Sequence, residues 1–350
     1  MKLNKYAIIW LVAIFSTVES VQSQDKPATD LDVAGIIARM PVQDQTQLNN
    51  QMILLLESGE EGLQELLDMI IPPGTGDDTG ARFAVESLSR FLSQPGKGYQ
   101  RVTWEAMLLA EIEDIENPAI KSFLMSQLNY IGGDATVEWL GKYLTDNRLH
   151  DPAIRAMRDA NPEKAGKIFA VHLDKISGNP QIALVNALGE LGLSEHAPAV
   201  IKLAGTTDPE LQKSVVSCME KMGLPGDQRL LIIRKMESGA QDEKAKRQLI
   251  TAAGDVKTFL SFIFVSQYLD MEEFKSAAAR SLVRIALPDD GKENGLSGAW
   301  VREHLARAGE ILAGPGSADI KLDIESYLKE ITDQVGYESM FNGKDLTGWQ

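Results

Sequence analysis

The chain has 350 residues, 44% of them apolar and 24% charged, and its 50 acidic and 35 basic side chains leave a net charge of −15. That composition supports globular domains with a sizeable core and excludes a disordered tail, a collagen-like repeat and a polytopic membrane protein. The acidic balance also argues against a nucleic-acid partner, because tracking a phosphate backbone takes an excess of Lys and Arg.

Lys2 and Lys5 precede an apolar run over 6–18, and Val21-Gln22-Ser23 follows with small residues at the positions a signal peptidase reads. This is the pattern of a secretory signal peptide over 1–23, with cleavage expected near Ser23. The run is short for a membrane span, although a retained anchor is the alternative, and no second long apolar stretch follows it. No cysteine stands near the site to accept a lipid. The expected mature protein lies outside the cytoplasm, periplasmic or secreted, with no membrane span after signal cleavage.

From about Thr29 to Thr332, apolar residues recur at spacings of three and four, which is helical periodicity. Residues 24–116 form the less regular part, with helices predicted over 47–56, 62–71, 81–92 and 102–112. The segment Pro72-Pro73-Gly74-Thr75-Gly76-Asp77-Asp78-Thr79-Gly80 invites a phosphate-loop reading. A phosphate loop needs Lys and then Ser or Thr after its last glycine, whereas Gly80 is followed by Ala81-Arg82. Asp77 and Asp78 are instead expected to cap the helix that opens near Ala81, with ligand binding by the loop left open. Glu111, Glu113, Asp114 and Glu116 cluster at a helix end, but their spacing sends them to different faces, so a solvated surface is expected rather than a calcium or catalytic site.

A repeat fills 117–332. Its units close at Gly132, Asn161, Gly192, Gly223, Gly254 and Ala286, at intervals of 29, 31, 31, 31 and 32 residues. Gly and Asn accept the left-handed conformation that ends a helix, which gives the register a mechanical reason. Asn117-Pro118, Asp151-Pro152, Asn179-Pro180 and Asp208-Pro209 each place a capping side chain before a proline suited to the first helical position. Second apolar segments over 136–144, 165–176, 197–203, 230–236 and 259–269 make each unit a helix pair. No such pair buries its apolar face alone, so the expected fold is all-α, an α-solenoid of stacked helix pairs with a period of about 31 residues. The pattern resembles the HEAT and armadillo-like class, with a shorter unit. That resemblance implies a scaffold or binding surface and brings no catalytic residues. Cys218, the only cysteine, falls in one of these apolar runs, where a packed thiol is expected rather than a nucleophile.

His150, His172, His196 and His304 lie in different units, without the spacing of a zinc site. Motifs for serine hydrolases, penicillin-binding proteins and EF-hands are absent from the sequence. No catalytic, cofactor-binding or metal-ligating residue is assigned, and no cofactor is named by any pattern.

After Thr332 the helical pattern stops, and 333–350 reads as a linker and a β-type segment in which Asn342-Gly343 signals a hairpin turn. Phe341-Asn342-Gly343-Lys344-Asp345-Leu346-Thr347-Gly348-Trp349 closely resembles the opening of a bacterial domain family known as DUF1080, described as 3-keto-disaccharide hydrolases or 3-keto-glucoside lyase-hydratases. The resemblance implies a stub of a concanavalin-A-like β-sandwich, with Phe341, Leu346 and Trp349 as apolar members of its core and turn. One strand cannot fold as a sandwich, so the chain is expected to be the N-terminal part of a longer protein. The implied function is that of a secreted carbohydrate-active protein. The ketone of a 3-keto-glucoside substrate would acidify a neighbouring C–H, so that the proton is lost and the glycosidic oxygen leaves by elimination, with water added afterwards. The carbohydrate would bind the domain missing from this chain, and no activity is expected from these residues alone. The alternative is a non-catalytic extracytoplasmic α-solenoid that binds a protein partner or glycan along its face.

Overall fold

A computed structural model describes residues 32–240, 242–312 and 318–331, and every regular element among them is helical. The signal peptide expected over 1–23 and the β-type stub expected over 333–350 lie outside the described residues. The chain divides into two compact units between Ala187 and Leu188.

The first unit contains α1 (Val33–Ile37), α2 (Gln45–Glu57), α3 (Gly59–Asp68), α4 (Thr79–Leu92), α5 (Gly98–Asp114), α6 (Pro118–Ile131), α7 (Asp134–Leu140), α8 (His150–Ala160) and α9 (Pro162–His172). In α10 (Asn179–Leu191) the division falls mid-helix. The second unit continues with α11 (Ala197–Ile201), α12 (Pro209–Lys221), α13 (Gly226–Gly239), α14 (Glu243–Ala253), α15 (Phe259–Ser266), α16 (Lys275–Ala286), α17 (Ala299–Ile311) and α18 (Ala318–Glu330). In the first unit α4, α6 and α8 pack side by side, as do α5, α7 and α9. In the second, α14 packs between α12 and α16, while α13 packs on α15. Each unit is therefore built in two helical layers that enclose an apolar core, which is how helices with one apolar stripe bury it. The region before Asn117 joins this arrangement directly, since α5 packs on α6.

The expected helix starts hold where the capping chemistry is complete. Asn117 accepts from the amides of Ala119 and Ile120 at 2.9 and 3.2 Å, with Pro118 in the first helical position. Asp208 does the same for Glu210 and Leu211, at 3.0 and 3.4 Å. Two expected caps are corrected. Asp151 lies inside the first turn of α8, because the turn at Asp146, which takes the amides of Leu149 and His150 on its carbonyl, starts the helix earlier. Asn179 stands at the first position of α10, and the residue before it is Gly178, with φ +68° and its carbonyl on the amide of Ile182.

The closing residues need a finer account. Gly192 and Gly223 have φ of +66° and +69°, the left-handed conformation expected. Asn161 does not: at φ −154° it is extended, and its side chain accepts from the amide of Lys164 at 3.0 Å, capping the next helix α9. Gly132 and Gly254 have φ of −57° and −63°, so left-handed geometry is not why glycine stands there. The reason is space. A Cβ at Gly132 would meet the Leu128 carbonyl oxygen at 2.6 Å and the Ala160 Cβ at 3.0 Å, and one at Gly254 would meet Ser281 Oγ at 2.7 Å.

Side-chain bonds between helices include separations of 15 residues (Trp104 to Ser89) and 47 (Gln64 to Glu111), and one group of them joins positions 29–31 residues apart. In the first unit, Thr136 Oγ1 donates to Glu105 across 31 residues and the Tyr143 hydroxyl to the Ile112 carbonyl across 31. Lys142 pairs with Glu113 across 29 residues. In the second, Lys257 donates to the Leu287 carbonyl across 30 residues, Arg284 to Asp255 across 29, and the Tyr327 hydroxyl to the Leu296 carbonyl across 31. The last described helix, α18, packs on α17. Arg302, near the start of α17, donates to the carbonyls of Leu328 and Ile331 at the end of α18, so the two helices run antiparallel.

Candidate functional site

Two helix positions a turn apart point the same way, so residues i and i+4 build a common edge. On α14 those residues are Arg247 and Thr251; on α16, which packs against it, they are Arg280 and Arg284. The two pairs flank a cleft of about 760 Å³. Ala277 and Val283 of α16 and Ile320 of α18 supply its apolar lining, and Ser276, Ser281 and Glu273 complete its polar edge. Its size falls in the range of ligand clefts.

Hydrogen bonds fix the direction of two guanidinium groups. Arg247 Nη2 donates to the Glu273 carbonyl at 2.9 Å. Arg284 Nη2 donates to the Thr251 carbonyl at 2.7 Å and Nη1 to Asp255 Oδ1 at 2.6 Å. Backbone carbonyls orient a guanidinium without cancelling its charge, whereas Asp255 partly neutralises Arg284. Among the described residues three arginines and one acidic side chain line the cleft, with Asp255 paired to Arg284.

The residues singled out from sequence are scattered elsewhere, most of them with structural partners, while the buried Nε2 of His196 has none among the described residues. His150 Nδ1 lies 2.9 Å from the Asp146 carbonyl, His172 Nδ1 2.8 Å from that of Ile168, and His304 Nδ1 2.9 Å from that of Trp300. His196 is buried. No three His, Cys, Asp or Glu among the described residues gather closely enough to hold a metal ion. In the acidic cluster, Glu111 accepts from Gln64 at 2.8 Å and Glu113 pairs with Lys142. Cys218 is buried, and that burial pushes its thiol up to about 12, away from thiolate chemistry.

The glycine-rich loop behaves differently from its expected capping role. Asp78 occupies the position before α4, but its carboxylate reaches across the loop to the Ile71 amide at 3.0 Å and to Arg82 Nε at 2.8 Å. Arg82 Nη2 also donates to the Ile71 carbonyl at 2.9 Å, so this pair staples the two ends of the loop together. Burial pushes the Asp78 carboxyl up, but these bonds outweigh it and hold it below its ordinary value. Asp77 takes the amide of Thr79 at 3.0 Å. The hollow beside the loop is lined by both carboxylates, which would repel a phosphate.

Arg247, Arg280, Arg284 and Glu105 were not singled out by the sequence. Arg247 and Thr251 precede Arg280 and Arg284 by 33 residues each, against 32 between Gly254 and Ala286, so the punctuation of the sequence does not align them; the packing of α14 on α16 does.

No family model matches the chain, and no curated protein matches it. Among the described residues no helix is long and apolar enough to cross a membrane.

Proposed function

We propose that this chain is a helical binding scaffold of an exported bacterial protein, an α-solenoid with a period of about 31 residues and of the HEAT or armadillo-like kind, which binds a protein partner along an exposed helix face. The observation that supports it is the set of side-chain bonds joining positions one period apart, such as Thr136 to Glu105 across 31 residues and Tyr327 to the Leu296 carbonyl across 31. Bonds of this separation tie neighbouring helix pairs together over 105–143 in the first unit and over 255–327 in the second, as stacked helix pairs would require.

A second reading rests on the Phe341–Trp349 motif, by which the same chain is the helical part of a secreted 3-keto-glycoside hydrolase or lyase-hydratase. The two are separated by applying the purified chain to peptide and glycan arrays and to a 3-keto-disaccharide turnover assay. Selective binding of peptides supports the scaffold. Binding of glycans alone overturns it, and turnover of the disaccharide would overturn both the scaffold reading and the expectation that these residues alone are inactive. The export component is checked by sequencing the mature N-terminus: a start near residue 24 is expected, and secreted material that still begins at Met1 would contradict it.

A further inference from the structure

We propose that the α14–α16 cleft binds an acidic peptide segment of a partner protein, one that alternates carboxylates with apolar side chains. This assignment rests on the scaffold reading and names the site and the chemistry of the partner. Arg247, Arg280 and Arg284 face the cleft from two helices, and Glu273 is the acidic side chain among the described residues that line it. Guanidinium groups present paired donors in a plane that matches a carboxylate. Arg247 is oriented by the Glu273 backbone carbonyl at 2.9 Å, which leaves its charge uncancelled by that bond. Preorientation lowers the entropy cost of engaging a carboxylate.

The apolar lining decides the rest of the ligand. Ala277, Val283 and Ile320 would be left wet by a bare inorganic anion, whereas aliphatic side chains between carboxylates would cover them. Among the described residues no aromatic ring lines the cleft, so these residues offer a sugar chain no stacking platform. A nucleic acid would approach against the net charge of −15. Arg247 on α14 and Arg280 and Arg284 on the adjacent α16 supply the guanidinium groups, and an extended segment lying across both helices meets them in turn.

The test is fluorescence anisotropy of the full chain with three labelled probes: a peptide alternating Glu and Leu, the same peptide with Lys for Glu, and a polyuronate oligosaccharide. The Glu/Leu peptide is expected to bind, more weakly as salt rises, while the Lys/Leu peptide does not. Arg247→Glu and Arg280→Glu are each expected to weaken binding at least tenfold with an unchanged circular dichroism spectrum. Arg101→Glu, an exposed charge reversal in the first unit, should leave it within twofold. Should either cleft variant unfold the chain, Arg247→Gln, which keeps a neutral donor, takes its place and must still weaken binding. Several results overturn the proposal: no binding of the Glu/Leu peptide, equal loss on Arg101→Glu, or preference for the polyuronate. Binding of the peptide that ignores both cleft variants removes the site but leaves the scaffold reading standing. Glycan binding with no peptide binding on the arrays removes both.

Discussion

Glu105 shows how a charged side chain can sit inside this core. It is 6% exposed on α5, and its Oε1 accepts from the Gly133 amide at 2.8 Å, the Thr136 amide at 3.1 Å and Thr136 Oγ1 at 2.7 Å. Those amides belong to the start of α7, whose N-cap Gly133 has no side chain to serve them, so a carboxylate from the neighbouring helix does the capping. Glu105→Ala leaves these donors buried without their acceptor and should cost about 2 kcal/mol or more, read as a lower denaturation midpoint in urea. Glu105→Gln, which keeps an acceptor oxygen, should lose less. Nothing in the sequence around Glu105 marks this role, because the partner is set by packing a whole unit away. Asp289 offers a pH test on the same scale. The Lys257 ammonium at 2.6 Å, with Asn294 and Lys292 behind it, holds its carboxyl well below the usual carboxylate range. A depressed carboxylate contributes stability above its unfolded pKa of about 3.9 that is lost as pH falls towards the folded value. Protection of the 288–298 amides, taken relative to the free-peptide exchange rate at each pH, should therefore fall below about pH 4 and stay level between pH 5 and 7. A loop equally protected at pH 2.5 would contradict the assignment.

At the scale of helices, one residue type is used for two physical reasons. Gly223 is left-handed at φ +69°, with nothing within 4 Å of an added Cβ. Gly189 lies within α10, where a Cβ would stand 2.9 Å from the Cys218 Cα of α12. Gly223→Ala should therefore cost about 1 kcal/mol of backbone strain, and Asn there should cost less. Gly189→Ala pushes against backbone and should cost about 1–3 kcal/mol, with no rescue by Asn. Thermal unfolding of the four variants distinguishes strain from crowding, and equal losses at both sites would contradict the account. Sequence made the helix ends legible, since Gly132, Gly192, Gly223 and Gly254 all follow their helices closely. It could not tell which glycine served conformation and which served space, because the neighbour at Gly132 is Ala160, in α8. Asn161 was misread for a related reason. A single residue links α8 to α9, and the cap of the second helix takes precedence over the end of the first.

For the whole molecule, the all-helical class and the helix pairs followed from periodicity and punctuation, which are local. The cleft did not, because its arginines acquire meaning only when α14 and α16 are placed side by side. The central claim is that these helix pairs are repeated units of about 31 residues, each tied to the next by equivalent contacts. Removing one period should then splice the chain without breaking its register, whereas removing part of one should not. The measurement is the circular dichroism and urea unfolding of two deletions. One lacks 193–223, so that Gly192 runs on to Leu224 and α13; the other lacks only 208–223, which removes α12 and strands α11 without a partner. The account predicts a cooperative transition and near-native helicity per residue for the first, and loss of both in the second unit for the other. Equal collapse of the two deletions would contradict the repeat, and with it the scaffold built on it.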